Sequence, residues 1–71
     1  MEQPIKPDYY HASNGLEVID FIEGFNLNFN LGNVVKYIAR AGHKPNEDKI
    51  TALNKAIHYL FRELIRVGKE E

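Results

Sequence analysis

The sequence predicts an all-α protein of three helices, at about residues 15–25, 29–41 and 47–67, behind an extended N-terminal arm. Three observations predict it. Apolar residues recur at the 3.6-residue helical period in three separate stretches. Asn, Gly and Pro cluster between those stretches, where caps and stops belong. No stretch keeps the two-residue alternation of a strand. With 71 residues, the chain makes one domain, divided into an arm (1–13) and a helical core (14–71).

The arm carries Pro4 and Pro7 and no period, which favours extended backbone. It also carries Tyr9, Tyr10 and His11. These rings either clamp onto the helices or, through Tyr10 or His11, stack on a ligand. Ser13 or Asn14 is placed to cap the first helix, with Leu16, Ile19 and Ile22 as its buried side. Glu17 and Asp20 lie three residues apart on another side. They suit the positive end of the helix dipole, and they are the candidates for a magnesium pair, because magnesium prefers carboxylate oxygen and water.

Asn28 or Asn30 is expected to start the second helix, and Gly42 to end it at the position just past its cap. Gly32, near its start, suggests the close approach of a neighbouring backbone or a ligand. Pro45 forbids continuation. Asn46 is expected to cap the third helix, with Glu47 and Asp48 in its first turn and Gly68 as its stop. On that helix Ile50, Leu53, Ile57, Leu60, Leu64 and Val67 are spaced 3-4-3-4-3, a seam of coiled-coil type that Ala52, Ala56, Phe61 and Ile65 widen. Two short helices cannot cover so wide an arc, and the excess predicts a homo-oligomer.

Totals exclude several classes. There is no cysteine, so neither a disulfide nor a thiolate metal site is available to a small core. His11, His43 and His58 show no ligand spacing. The net charge of −1 argues against nucleic acid as a partner and requires any positive site to be local. No apolar run approaches the roughly 20 residues of a membrane span. The start of the chain has no signal-peptide pattern, so a cytoplasmic protein is expected.

The second helix carries two stripes. Leu31, Val34, Ile38 and Ala41 form an apolar one, and Asn33, Lys36, Tyr37 and Arg40 form a polar one without an acid. The third helix has a matching line at Lys55, Tyr59, Arg62 and Arg66. A short loop makes the two helices antiparallel neighbours. If both lines face one groove, Lys36, Arg40, Lys55 and Arg62 converge around Tyr37 and Tyr59. Arg and Lys bind phosphate, Tyr offers a ring and a hydroxyl, and Asn33 has a donor and an acceptor for a base edge. That is the composition of a nucleotide site, although no P-loop and no G-x-G-x-x-G is present. The competing expectation is that Lys36 and Arg40 pair on the surface with Glu17, Asp20, Glu23 or Glu63. Neither Lys36 nor Arg40 lies on the apolar stripe, so both are expected to be dispensable to the fold.

The segments PDYYH, GLEVIDFIE, LNFNLGNVVKYIARAGHK and EDKITALNKAIHYLFREL resemble the SaV-like family of small tailed-phage proteins, which is related to a phage nucleotide kinase that lacks a P-loop. The likeness spans residues 7–64 and points to Gly32, Asn33, Lys36, Tyr37, Arg40, Gly42 and Lys44, then to Lys55, Ala56, Tyr59 and Leu60. It implies phage origin, a helical fold and a link to nucleotide metabolism. The chain departs from the family pattern at Ile50-Thr51-Ala52-Leu53, where an acidic turn is common, and it is shorter than the kinase. Both differences weigh against catalysis more than against binding. The expectation is a phage protein that binds a nucleotide or cyclic nucleotide, and sequesters a host signal to evade defence. The alternatives are a kinase-related enzyme or phosphohydrolase, with magnesium and His11 or His58 in unassigned roles, and a helical protein that docks on a host protein. No cofactor is expected unless it is an enzyme.

Overall fold

A computed structural model describes residues 15–70. The expected arm, the Ser13 or Asn14 cap, and Tyr10 and His11 lie outside the described residues. The described chain is all-α, with helices α1 (Val18–Gly24), α2 (Phe29–Arg40) and α3 (Lys49–Glu70). None of these is long and apolar enough to cross a membrane.

The turns follow from local chemistry. α1 ends in a Schellman motif, with Leu27 N–H donating to the Ile22 carbonyl and Asn26 N–H to that of Glu23, both at 3.0 Å. Asn26 takes the left-handed position, φ 53°, which Asn tolerates better than most residues. Asn28 then caps α2, its side-chain oxygen accepting from Leu31 N–H at 2.9 Å. After α2, Ala41 (φ −58°, ψ 119°) and Gly42 (φ +81°) form a type II turn, closed by His43 N–H donating to the Arg40 carbonyl at 2.9 Å. The second central residue of that turn needs positive φ, hence glycine.

Three boundaries differ from expectation. α1 starts at Val18, with Glu17 as a cap that makes no side-chain capping bond. Asp48, not Asn46, caps α3, since its carboxylate accepts from Thr51 N–H at 2.7 Å. Asn46 instead sits at φ 63° within the turn. Gly68 does not stop α3, which continues to Glu70. A glycine ends a helix by turning left-handed, and Gly68 does not.

α2 and α3 pack antiparallel, the start of α2 against the end of α3. Asn28 and Asn30 meet Glu63, and Arg40 meets the loop just before α3. The seam between them is made of small and polar residues. Among the described residues, Ala41, Ala52 and Ala56 are the buried apolar side chains, with Ala52 fully covered. Gly32 is buried where α1 crosses, and a Cβ there would lie 3.4 Å from Ile22 Cγ2. The close neighbour that Gly32 suggested is therefore the Ile22 side chain.

The packing reverses the expected sides of α3. The seam from Ile50 to Val67 lies on the surface, and the Ala52 and Ala56 that were to widen it are the residues α2 covers. α1 differs likewise: Leu16 and Ile19 are exposed, and only Ile22 of the expected trio is half-buried.

Candidate functional site

The polar stripes meet each other across the α2–α3 seam. Residues 33, 36, 37 and 40 share one face of α2 because they repeat at helical spacing, and 55 and 59 share one face of α3. The Tyr37 and Tyr59 rings lie nearly parallel, 10° apart in plane, with centroids 5.8 Å apart. Three cations approach the Tyr37 ring: Arg40 at 4.3 Å, Lys36 at 4.8 Å and Lys55 at 5.5 Å from its centroid. Cations favour the negative face of an aromatic ring. The ring thus collects charge from both helices.

One carboxylate enters this group from the loop. Glu47 lies 3.1 Å from Arg40 Nε and accepts from Arg40 Nη2 at 3.2 Å and from Lys55 Nζ at 2.7 Å. Its side chain and that of Arg40 are almost wholly covered, whereas Lys55 remains 42% exposed. The hydrogen bond from Lys55 lowers the Glu47 pKa most; burial opposes this, and the charges of Arg40, Lys55 and Lys44 add to the lowering. Glu47 is therefore held as the anion that joins the end of α2 to the start of α3.

This pairing corrects the expectation for Arg40. Arg40 is 6% exposed, so it does not stand on the surface, and its carboxylate among the described residues is Glu47 rather than Glu17, Asp20, Glu23 or Glu63. It is part of the fold, not dispensable to it. Lys36, by contrast, makes no ion pair among the described residues and lies half-buried over the ring.

The remaining site residues are scattered. Asn33 donates back to the Phe29 carbonyl at 2.9 Å, one turn earlier, so one of its amide hydrogens is taken by its own helix. Lys44 sits half-buried in the loop, near enough to act on Glu47. Arg62 does not converge on the tyrosines; with Asn30, Ile65, Arg66 and Lys69 it lines a separate surface concavity of about 340 Å³. Asp20 is exposed on α1. Among the described residues no cluster of three or more His, Asp or Glu could hold a metal ion.

Two features escaped the sequence. Glu63 accepts from Asn28 at 2.7 Å, from Asn30 at 3.3 Å and from both Nε and Nη2 of Arg66, at 2.9 and 2.8 Å. The Arg66 hydrogen bonds, then that of Asn28, bring its pKa down to about 2 against the effect of burial. Phe29, 76% exposed, sets its ring edge-on to Tyr59 at 5.9 Å. The spacing that revealed the stripes carried no sign of either, since Phe29 precedes the periodic run and Glu63 reads as an ordinary surface acid.

The protein family DUF3310, described as being of unknown function, matches residues 5–61 of the chain. No curated protein and no solved structure matches it.

Proposed function

The chain belongs to the DUF3310 family, and we propose that it binds a phosphate-bearing small molecule, a nucleotide or cyclic nucleotide, at the cation and tyrosine cluster of α2 and α3. The observation that carries this reading is the gathering of Lys36, Arg40 and Lys55 within 5.5 Å of one tyrosine ring. Lys36 and Lys55 supply the point charges a phosphate needs. Lys44 adds to the field from the loop. Arg40, held by Glu47, orients the cluster rather than reaching out of it. Tyr37 and Tyr59 already face one another, and His58 and Phe29 stand edge-on to Tyr59 at 5.2 and 5.9 Å, so the ring open to a base is that of Phe29, 76% exposed beside the cluster. Stacking of a base on such a ring is worth about 1–3 kcal/mol. The resemblance to SaV-like phage proteins supports the same reading, with a cytoplasmic role in an infected host, where the protein sequesters a signalling nucleotide.

The test is a thermal-shift screen over mono-, tri- and cyclic nucleotides, with and without magnesium. One of them should raise the melting temperature saturably without magnesium. A ligand at a hundredfold excess over its Kd adds about 2.7 kcal/mol. Lys36→Ala should keep the fold and lose about 1.5–3 kcal/mol of binding, the worth of a hydrogen bond to a charged group. A shift that needs magnesium, with turnover, would move the assignment to the kinase-related enzyme. No shift with any nucleotide at millimolar concentration would overturn the proposal.

A further inference from the structure

α3 turns its largest apolar side chains away from its own protomer. Ile50, Leu53, Ile57, Leu60, Phe61 and Leu64 are each between 39% and 70% exposed. With the last two turns of the helix, this face leaves on the order of 800 Å² open, the share of one partner in a standard-size interface and more than a monomer normally shows. Beside this face run Arg62 and Lys69, lining the concavity with Ile65. Neither makes an ion pair among the described residues. Glu63, the acid of this stretch, turns inward to Asn28. The edge of the apolar face is therefore basic.

α1 has the opposite character. It has no buried residue, and it meets α2 where Ile22 packs against Gly32. Ile19, Phe21 and Phe25 are exposed, the two phenylalanine rings 4.6 Å apart. The charges it presents are Asp20 and Glu23, both exposed and without an ion pair among the described residues, and no Lys or Arg lies between residues 15 and 35. A helix this short holds little structure by itself. One chain thus carries an apolar face edged with bases and an apolar helix edged with acids. Both surfaces are exposed among the described residues of one protomer, and a second copy can supply each with its complement.

The alternative of α3 against α3 in antiparallel fashion brings the basic edge of each copy along the same edge of the other, where α3 offers no outward acid between residues 49 and 69 to pair with it. We infer that this chain self-associates by laying α1 of one copy against the exposed apolar face of α3 of another, with Asp20 and Glu23 beside Arg62 and Lys69. The simplest closed form is a two-fold dimer in which the contact occurs twice. The inference is independent of the nucleotide reading, since it uses none of Lys36, Tyr37, Lys55 or Tyr59.

Sedimentation equilibrium of the full chain at tens of micromolar tests it. The parent should associate, and Leu60→Glu, at a position exposed in the protomer, should leave a helical monomer. Asp20→Lys with Glu23→Lys should weaken association at least tenfold, and so should Arg62→Glu with Lys69→Glu. Combining the two reversals should restore association tenfold or more over either alone. These four positions are on the surface, so they decide the matter even if Leu60→Glu fails to fold. A monomeric parent would overturn the inference. Association that survives reversal of the α1 acids, or that the combined reversal does not restore, would overturn the α1–α3 pairing.

Discussion

Replacing Tyr37 with leucine removes the ring on which α2 and α3 meet. Its near-parallel pairing with Tyr59 at 5.8 Å is worth about 0.5–1.5 kcal/mol beyond the area it covers. Arg40 at 4.3 Å and Lys36 at 4.8 Å each add about 0.5–1 kcal/mol as cation–ring contacts, and Lys55 at 5.5 Å adds less. The loss for Tyr37→Leu is therefore about 2–3 kcal/mol. In a domain of this size each kcal/mol moves the melting temperature by about 4–8 °C, so leucine should lower it by roughly 8–24 °C. Tyr37→Phe keeps the ring and should cost about 1 kcal/mol or less, the worth of one hydrogen bond. Circular dichroism melts of the parent and both variants, at equal protein concentration, give the comparison. If the leucine and phenylalanine variants melt together, the ring does not hold the seam, and the packing argument fails.

Two further perturbations probe the fold. Gly68→Ala should stabilise α3 by up to about 1 kcal/mol, the helix-propensity difference, because an added Cβ meets nothing within 4 Å; a lower melting temperature would mean that Gly68 ends the helix after all. Glu63 has its folded pKa depressed from 4.5 to about 2, chiefly by its hydrogen bonds from Arg66. Its contribution is thus present above the unfolded value and is lost as pH falls through that window. The denaturation midpoint should decline from about pH 5 towards pH 2, and Glu63→Gln should flatten that decline; an unchanged pH profile in the variant would refute the role.

Which residues share a face was legible from spacing, because helical geometry fixes it. Asn33, Lys36, Tyr37 and Arg40 do share one face of α2, and Lys55 and Tyr59 one face of α3. Gly42 was legible as the end of α2, because the turn there needs positive φ, and Asn28 was legible as one of two candidates for its start, Asn30 being the other, because a cap needs a side-chain acceptor. What spacing does not encode is which face turns inward. Burial of apolar surface would point the Ile50–Val67 line at α2. The Ala52 and Ala56 line faces α2 instead: small side chains let two helices approach closely, and the polar groups between them find partners in Glu47 and Glu63. Arg62 stands apart for a related reason. It lies seven residues beyond Lys55, two turns further along a helix whose neighbour runs the other way. Glu47 was read as a helix-start acid. Its reach to Arg40 depends on the type II turn at Gly42, a three-dimensional fact that no periodicity carries. Asn46 and Asp48 are equally good capping residues by type, and only the turn geometry separates them.

The central claim is that the cluster on α2 and α3 receives a phosphate-bearing nucleotide. Titration of the isotope-labelled protein, followed by amide and side-chain NMR, tests it most directly, using the nucleotide that gives the largest thermal shift. Saturable shifts should concentrate on residues 33–40, 44 and 55–59 and at Phe29, and they should vanish in Lys36→Ala while its unliganded spectrum stays folded. No shifts at saturating nucleotide, or shifts confined to Arg62, Lys69 and α1, would contradict it.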